Sequence, residues 1–277
     1  MINEDVLVYD IETSGLDIES AQLKFFGAYS YKYKEYYSYD YTHPEMIQHL
    51  LKDHRILVGF NNKAFDWPII LKYFDIKDVK YKIHIDLFEV CAPKPKAQFG
   101  KNKLAQMYPN LRLKNFSLKR IMEHIVKVQK MSIDLKKGDI NYEIFKKNEW
   151  TKEELVEIND YLRSDIELTK ALFEFFDTQY APIGELLPEK NYNNYMHVTA
   201  SSASLAYQVI CNLSGMDVEW EEGEDDLKHR FAGGHHIEAR KSIVKGRIAS
   251  VDIASAYPHS IIMGNLLSPD NKENSWK

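Results

Sequence analysis

Asp10 and Glu12 stand two residues apart at the end of the apolar run "VLVYDIE", a spacing that points both carboxylates from one face of a strand. Asp66 follows in "FNNKAFDW", at the mouth of an expected helix. Asp165 lies on a long helix, with Tyr161 four residues earlier on the same face. Acids at element ends in one α/β domain can hold two divalent cations, which favour oxygen ligands. Two such ions about 3.5–4 Å apart can clamp the attacking and leaving oxygens of a phosphodiester displacement. One ion would lower the pKa of a bound water and the other would stabilise the departing 3′-oxygen. Tyr161 would orient the water through a hydrogen bond without ionising. Each fragment alone has an ordinary reading: a D-x-E as surface charge or a helix cap, "YLRSD" as an amphipathic turn. Order and spacing together make them a set.

The elements that must position these residues can be read from periodicity. "VLVYDIE" is a buried strand, and "FFGAYSYKYKEYYSYDY" has the period-2 pattern of a hairpin, with Tyr29, Tyr31 and Tyr33 on one strand face and Tyr37, Tyr39 and Tyr41 on another. Such alternation favours a half-buried sheet face over a base-stacking platform. "HPEMIQHLLKD" reads as a helix, "RILVGF" as a strand, "KAFDWPIILKYF" as a loop entering a helix and "YKIHIDLFEV" as a further strand. Thr151 and Glu154 form a capping box ahead of "ELVEINDYLRSDIELTKALFEFF", whose apolar residues recur at three and four. "HVTASSASLAYQVICNLSG" reads as a helix with Gly215 beyond its end, and "HHIEARKSIV" and "GRIASVDIA" as strands. The expected fold is α/β with a mixed sheet over residues 1–182. Residues 183–277 form a second, incomplete α+β segment, with the boundary near Pro182 to Pro188.

Composition allows a real core and a reducing, intracellular setting, and leaves nucleic acid open as a partner. The chain has 277 residues, 44% hydrophobic and 28% charged, with a formal net charge of −5. No apolar run approaches the roughly 20 residues of a membrane span, and the start "MINEDVLVYD" has no basic-then-apolar leader. Two distant cysteines, Cys91 and Cys211, give neither a disulfide framework nor a cysteine zinc site, so a reducing, cytoplasmic setting is the default. The negative total does not exclude nucleic acid, which needs a local basic patch and not a basic average. The run "EWEEGEDD" reads as a solvated loop.

Strand D-x-E, then N-x-x-x-F-D, then Y-x-x-x-D on a capped helix resembles the three motifs of the DEDDy proofreading 3′–5′ exonucleases, which have a ribonuclease-H-like fold. "VDIASAYP" resembles the first catalytic motif of family B DNA polymerases, and "FAGGHH" the link between their exonuclease and polymerase domains. "FSLKRI", "KKGDINY", "TASSASL" and the lack of a domain before "DIET" are similar to the protein-primed phage branch. The likeness runs from about Val6 to Leu267.

The resemblance implies Asp10, Glu12, Asp66 and Asp165 as metal-binding catalytic acids for two Mg²⁺ or Mn²⁺ ions, with Tyr161 positioning the water. It implies Lys137 in "KKGDI" as the cation that steadies charge on the scissile phosphate; the plain alternative is a surface lysine before a turn. Thr13, Asn61, Phe65, Ser117 and Leu118 match positions that grip a single-stranded 3′ end, with core packing the rival for Phe65 and Leu118. Asn61 is taken over its neighbour Asn62 on the family spacing to Asp66. Gly233 and Gly234 would let backbone approach DNA, and Asp252, Ser255 and Tyr257 would belong to the polymerase motif. Phe231 replaces the usual Tyr, and Ala256 the usual Leu. His235 and His236, being adjacent, would face opposite sides of a strand.

Asp252 is expected to need a second carboxylate motif that this sequence does not contain, since one carboxylate does not make a two-metal site. The expected activity is therefore the exonuclease, removing 5′-mononucleotides from single-stranded or frayed DNA ends. The chain would be a piece of a longer polymerase or one subunit of a split one. The partners implied are single-stranded DNA 3′ ends and primer-template DNA, and beyond these a second polymerase chain or a priming protein, with no membrane. If the chain is phage-encoded, it would work in the host cytoplasm. The rivals are a stand-alone oligonucleotide exonuclease of the same fold and a non-enzymatic DNA-binding subunit.

Overall fold

The computed structural model describes residues 2–74, 82–92, 103–108, 111, 113, 115–130 and 140–215. Residues 1–209 form one compact unit and residues 210–277 a second, of which only 210–215 are described. The expected strands "HHIEARKSIV" and "GRIASVDIA" and the expected second segment beyond residue 215 lie outside the described residues.

The first unit is built on a five-stranded mixed sheet in the order β3-β2-β1-β4-β5. β1 (Val6–Thr13) is its middle strand, antiparallel to β2 (Leu23–Ser30) and parallel to β4 (Ile56–Gly59). Covered on both faces, Val6 to Tyr9 are buried without alternation, as a doubly covered strand requires. β3 (Glu35–Asp40) is an edge strand pairing antiparallel with β2, and β5 (Ile83–Asp86) pairs parallel with β4 at the other edge. Two helices cover one face. These are α1 (Pro44–Asp53) and α2 (Asp66–Tyr73), with Ile47, Leu51, Ile69 and Ile70 set against Leu7, Tyr9 and Leu57.

The other face receives α5 (Leu118–Gln129) and α6 (Lys152–Gly184), which bury Ile121, Ile125, Ile166, Leu172 and Phe173 against Val6, Val8 and Val58. The 33 residues of α6 span roughly 50 Å at 1.5 Å each. Its capping box is formed: Glu154 N donates to Thr151 Oγ1 at 3.2 Å, and Thr151 N to Glu154 Oε2 at 3.0 Å. The buried stripe of α6 includes Tyr161, Asp165 and Thr169 among Ile158, Leu162, Ile166 and Leu172, three polar residues where the helix should be apolar.

Three expectations change in detail. "LFEV" continues as the short helix α3 (Leu87–Cys91), because Asp86 ends its strand as an N-cap, accepting from Phe88 N at 2.9 Å. "HVTASSASLAYQVICNLS" is two helices, α8 (Met196–Thr199) and α9 (Ser202–Ser214), separated where Ala200 turns extended. The hydroxyl of Ser201 restarts the helix by accepting from Ser204 N at 3.2 Å. Gly215 sits past the end with φ +67°. Tyr33 leaves the face of Tyr29 and Tyr31, since the chain turns at Lys34 with φ 57°. Tyr31 donates to Glu174 of α6, while Tyr33 donates to Asp53 of α1. Between β5 and α5, α4 (Lys103–Met107) completes the order, and α7 (Glu189–Asn193) precedes α8.

A candidate nuclease centre

Asp10 and Glu12 leave β1 on the side that α6 covers, and across the β1–β2 ladder they face Gly27 and Phe25. The register shifts between Glu12 and Thr13, a bulge that ends regular pairing where the carboxylates emerge. A Cβ at Gly27 would lie 2.7 Å from Ile166 Cδ1 and 3.3 Å from Leu162 Cδ2. The missing side chain therefore lets α6 settle onto β2. Asp165 adjoins Ile166 on that helix. Asp10, Glu12 and Asp165 each present a carboxylate oxygen, and these three atoms lie within 4.8 Å of one another. Glu12 and Asp165 are buried and Asp10 half-buried.

Three carboxylate oxygens from two elements, gathered this closely at the edge of a core, fit a hard divalent cation. Asp66 is not part of that trio. It starts α2, 5% exposed, with its carboxyl near its own backbone N–H and that of Ile11, between Asp10 and Glu12. β4 pairs with β1 only as far as Val8, and Asp66 stands beside the next stretch of β1. Burial pushes its carboxyl up to about 7, with the neighbouring Asp86 adding to the rise. A cation close by would favour the charged form.

Tyr161 stands one turn before Asp165 and is also buried. Its phenol is raised well above the usual tyrosine range by burial first, then by the Asp165 carboxylate, a hydrogen bond with Tyr142 and Glu12. It is a neutral hydrogen-bonding group at any physiological pH. Its hydroxyl lies 2.9 Å from that of Tyr142, the last residue of "KKGDINY". Tyr142 opens a 3-10 turn, Tyr142–Lys146, capped by Asn141, which accepts from Glu143 N at 3.1 Å. At 62% exposed, Tyr142 is a large ring left open beside the acidic cluster. The cap at Asn141 was its only sequence signal.

The expected 3′-end contacts are distributed as follows. Asn61 is exposed, with a left-handed backbone of φ 63°. Phe65, half-buried against the α1–α2 core, is the N-cap residue of α2. The two belong to one turn with Asp66. Asn62, the neighbour passed over, is fully buried. The Thr13 hydroxyl donates to Gly15 O at 2.7 Å, leaving its oxygen as an acceptor. Ser117 is exposed at the N-cap of α5 without a side-chain cap bond, whereas Leu118 packs in the core with Ile121 and Met122. Lys137, Gly233, Gly234, Asp252, Ser255 and Tyr257 lie outside the described residues.

Against known proteins, the family model described as the RNase H superfamily matches residues 7–176, which is most of the chain and holds the whole acidic cluster. The chain belongs to the RNase H superfamily. No curated protein matches it. Among solved structures, this RNase H-superfamily chain is similar to the family B DNA polymerase of the hyperthermophilic archaeon Pyrobaculum calidifontis. That match has 15% identity and a TM-score of 0.47, and covers 79% of this chain and 31% of that one. It is also similar to a structure described as the apo form of a nuclease, with 14% identity and a TM-score of 0.43, covering 79% of this chain and 90% of that one. The chain thus spans about a third of the length of the polymerase it matches, and likenesses this remote carry no argument about chemistry. No helix among the described residues is long and apolar enough to cross a membrane.

Proposed function

We propose that this RNase H-superfamily chain is a metal-dependent 3′–5′ exonuclease that trims single-stranded or frayed DNA ends to 5′-mononucleotides. The observation that carries the reading is the meeting of Asp10, Glu12 and Asp165 oxygens within 4.8 Å beneath Tyr161. Divalent cations, when bound there, would supply Lewis acidity to a water and to the departing 3′-oxygen. Asp10, Glu12 and Asp165 would hold them, with Asp66 adding charge from the start of α2. Tyr161, neutral and braced by Tyr142, would fix the orientation of the attacking water through its hydroxyl. Asn61 and Phe65 would address the terminal nucleotide, the first by hydrogen bonding and the second by stacking. Ser117 and the Thr13 oxygen would bond to sugar or backbone, and Lys137 would stand against the scissile phosphate. Leu118 would act through packing, by holding the start of α5.

The polymerase context is a further part of the proposal. It is supported by "FAGGHH" and by "VDIASAYP" with Asp252, Ser255 and Tyr257. On this reading the exonuclease proofreads for a family B polymerase of the protein-primed kind, acting in the cytoplasm on primer-template DNA. A comparison of matched DNA and RNA oligonucleotides with Mg²⁺ and with Mn²⁺ tests the substrate class. Release of deoxynucleoside 5′-monophosphates from DNA, with RNA cut much more slowly, is expected. Equal or faster cutting of RNA would replace the proofreading reading with that of an oligoribonuclease.

A further inference from the structure

The turn between β4 and α2 is held by a carboxylate at the end of β5 that plays no part in the acidic cluster. Asp86 ends β5, 3% exposed, level with Gly59 in the β4–β5 pairing. Its Oδ1 accepts from Asn61 N at 2.8 Å and from Phe88 N at 2.9 Å, and its Oδ2 accepts from Lys63 N at 3.3 Å. One buried side chain therefore fastens two backbone N–H groups of the loop to the cap of α3.

The loop needs fastening. Asn61 has a left-handed backbone at φ 63°, a conformation that costs a non-glycine residue free energy and persists when neighbours impose it. Its carbonyl takes Ala64 N and Phe65 N, both at 3.3 Å, and the carbonyl of Asn62 takes Trp67 N at 2.8 Å. Asn62 fills the space over Gly59, where a Cβ would lie 2.7 Å from Asn62 Cβ. Lys63 adds an ion pair to Glu89 of α3 at 3.1 Å. With Asn62 turned inward and Asp86 holding the N–H groups on either side of it, the Asn61 side chain is left facing solvent and Phe65 half-exposed.

We propose that Asp86 is a positioning residue for recognition of the 3′-terminal nucleotide: it sets the loop so that Asn61 and Phe65 present their side chains together. The assignment rests on the exonuclease reading above. It deepens that reading by locating what orders the terminal-nucleotide subsite. Asp86 contacts no substrate, so its effect passes entirely through Asn61 and Phe65.

The test is steady-state cleavage of a single-stranded DNA oligonucleotide by the full chain and its variants. Asp86→Ala is expected to raise KM roughly tenfold, the scale of losing hydrogen bonds to a charged acceptor. Its kcat should stay within about threefold, because uniform binding is what is lost. Asp86→Asn, whose oxygen can still take the Asn61 and Phe88 N–H groups, should raise KM less. In an Asn61→Ala/Phe65→Ala background, Asp86→Ala should add no more than about twofold, since residues acting as one unit are not additive. A merely stabilising residue would lower melting temperature and leave that non-additivity absent. Full additivity, or a loss lying wholly in kcat, overturns the assignment. If Asp86→Ala does not fold, Asp86→Asn decides, and a wild-type KM for it overturns the assignment. A wild-type chain that cleaves no single-stranded DNA from the 3′ end overturns the exonuclease reading itself and this assignment with it. A cleaving wild type with unchanged KM in the variants overturns Asp86 alone.

Discussion

Asp10 of β1 and Gly27 of β2 are paired across the antiparallel ladder, and the absent side chain of Gly27 is what lets Ile166 and Leu162 of α6 rest on the sheet there. The same contact brings Asp165 beside Asp10 and Glu12. Fold and site therefore share one close approach. Gly27→Val would press on α6, because its Cβ alone would lie 2.7 Å from Ile166 Cδ1, 3.3 Å from Leu162 Cδ2 and 3.5 Å from Leu162 Cβ. Overpacking of this kind costs about 1–3 kcal/mol. The expected result is a lower melting temperature together with a fall in cleavage at temperatures where the variant is still folded. Wild-type cleavage in a folded Gly27→Val would show that the α6–β1 spacing does not govern the cluster.

Asp10→Ala combined with Glu12→Ala removes two of the three gathered carboxylates while leaving the core strands Val6–Tyr9 intact. Losing a metal's charge stabilisation is worth several kcal/mol, on the order of a thousandfold in rate. Cleavage should drop by that much, with the circular dichroism of the native fold retained and single-stranded DNA still bound. Wild-type rates in the double variant would show that the reaction lies elsewhere.

The cluster also predicts a stability signature that needs no substrate. A cation that binds only the folded chain raises its apparent stability by mass action. Mn²⁺ should raise the melting temperature of the wild-type chain, and a chelator should reverse the rise. Asp10→Ala with Glu12→Ala should show no such response. An equal Mn²⁺ shift in the double variant would place the binding at other residues.

Tyr161→Phe should leave melting unchanged and lower kcat by about 10- to 100-fold, the scale of a misplaced reactant. Because burial and Asp165 hold the phenol above its ordinary range, wild-type activity should not fall at high pH through tyrosine ionisation. A falling limb near pH 10 that vanishes in Tyr161→Phe would mean that the phenol titrates there.

How far this centre could be read in advance depended on period. Two-residue spacing put Asp10 and Glu12 on one strand face, and three-and-four spacing put Tyr161 and Asp165 on the buried stripe of α6. Both are local properties of regular elements. The standing of Asp66 outside the trio was not legible, because it depends on where α2 begins relative to β1 once β4 has left that strand after Val8. Tyr142 was hidden because its partner, Tyr161, is 19 residues away on another element. Asp86 had a visible signal, an acid ending the apolar strand "IHID" just as Asp10 ends its own. It was passed over because the following "LFEV" looked like more strand.

His84 supplies a pH prediction independent of the reaction. Its ring lies 4.4 Å from that of Trp67 between centroids, and both ring nitrogens are buried without hydrogen-bond partners among the described residues. Burial first, then Lys63 and Lys82, pulls its pKa down to about 4. The unfolded chain takes up a proton below pH 6.5 that the folded chain refuses, so stability falls as pH drops from about 6.5 to about 4. His84→Phe should flatten the melting temperature across that window. An unchanged acid slope would mean that other groups set it.

Hydrolysis from a DNA 3′ end by the Asp10–Glu12–Asp165 cluster is tested most directly by a polarity assay. A 5′-labelled single-stranded DNA is incubated with the full chain and Mn²⁺ or Mg²⁺, with a chelator control and the Asp10→Ala/Glu12→Ala variant alongside. The expected result is a ladder of 5′-labelled products shortening one nucleotide at a time, absent with chelator and in the variant. Immediate release of the labelled 5′ nucleotide, internal cuts without a ladder, or an intact strand would contradict it.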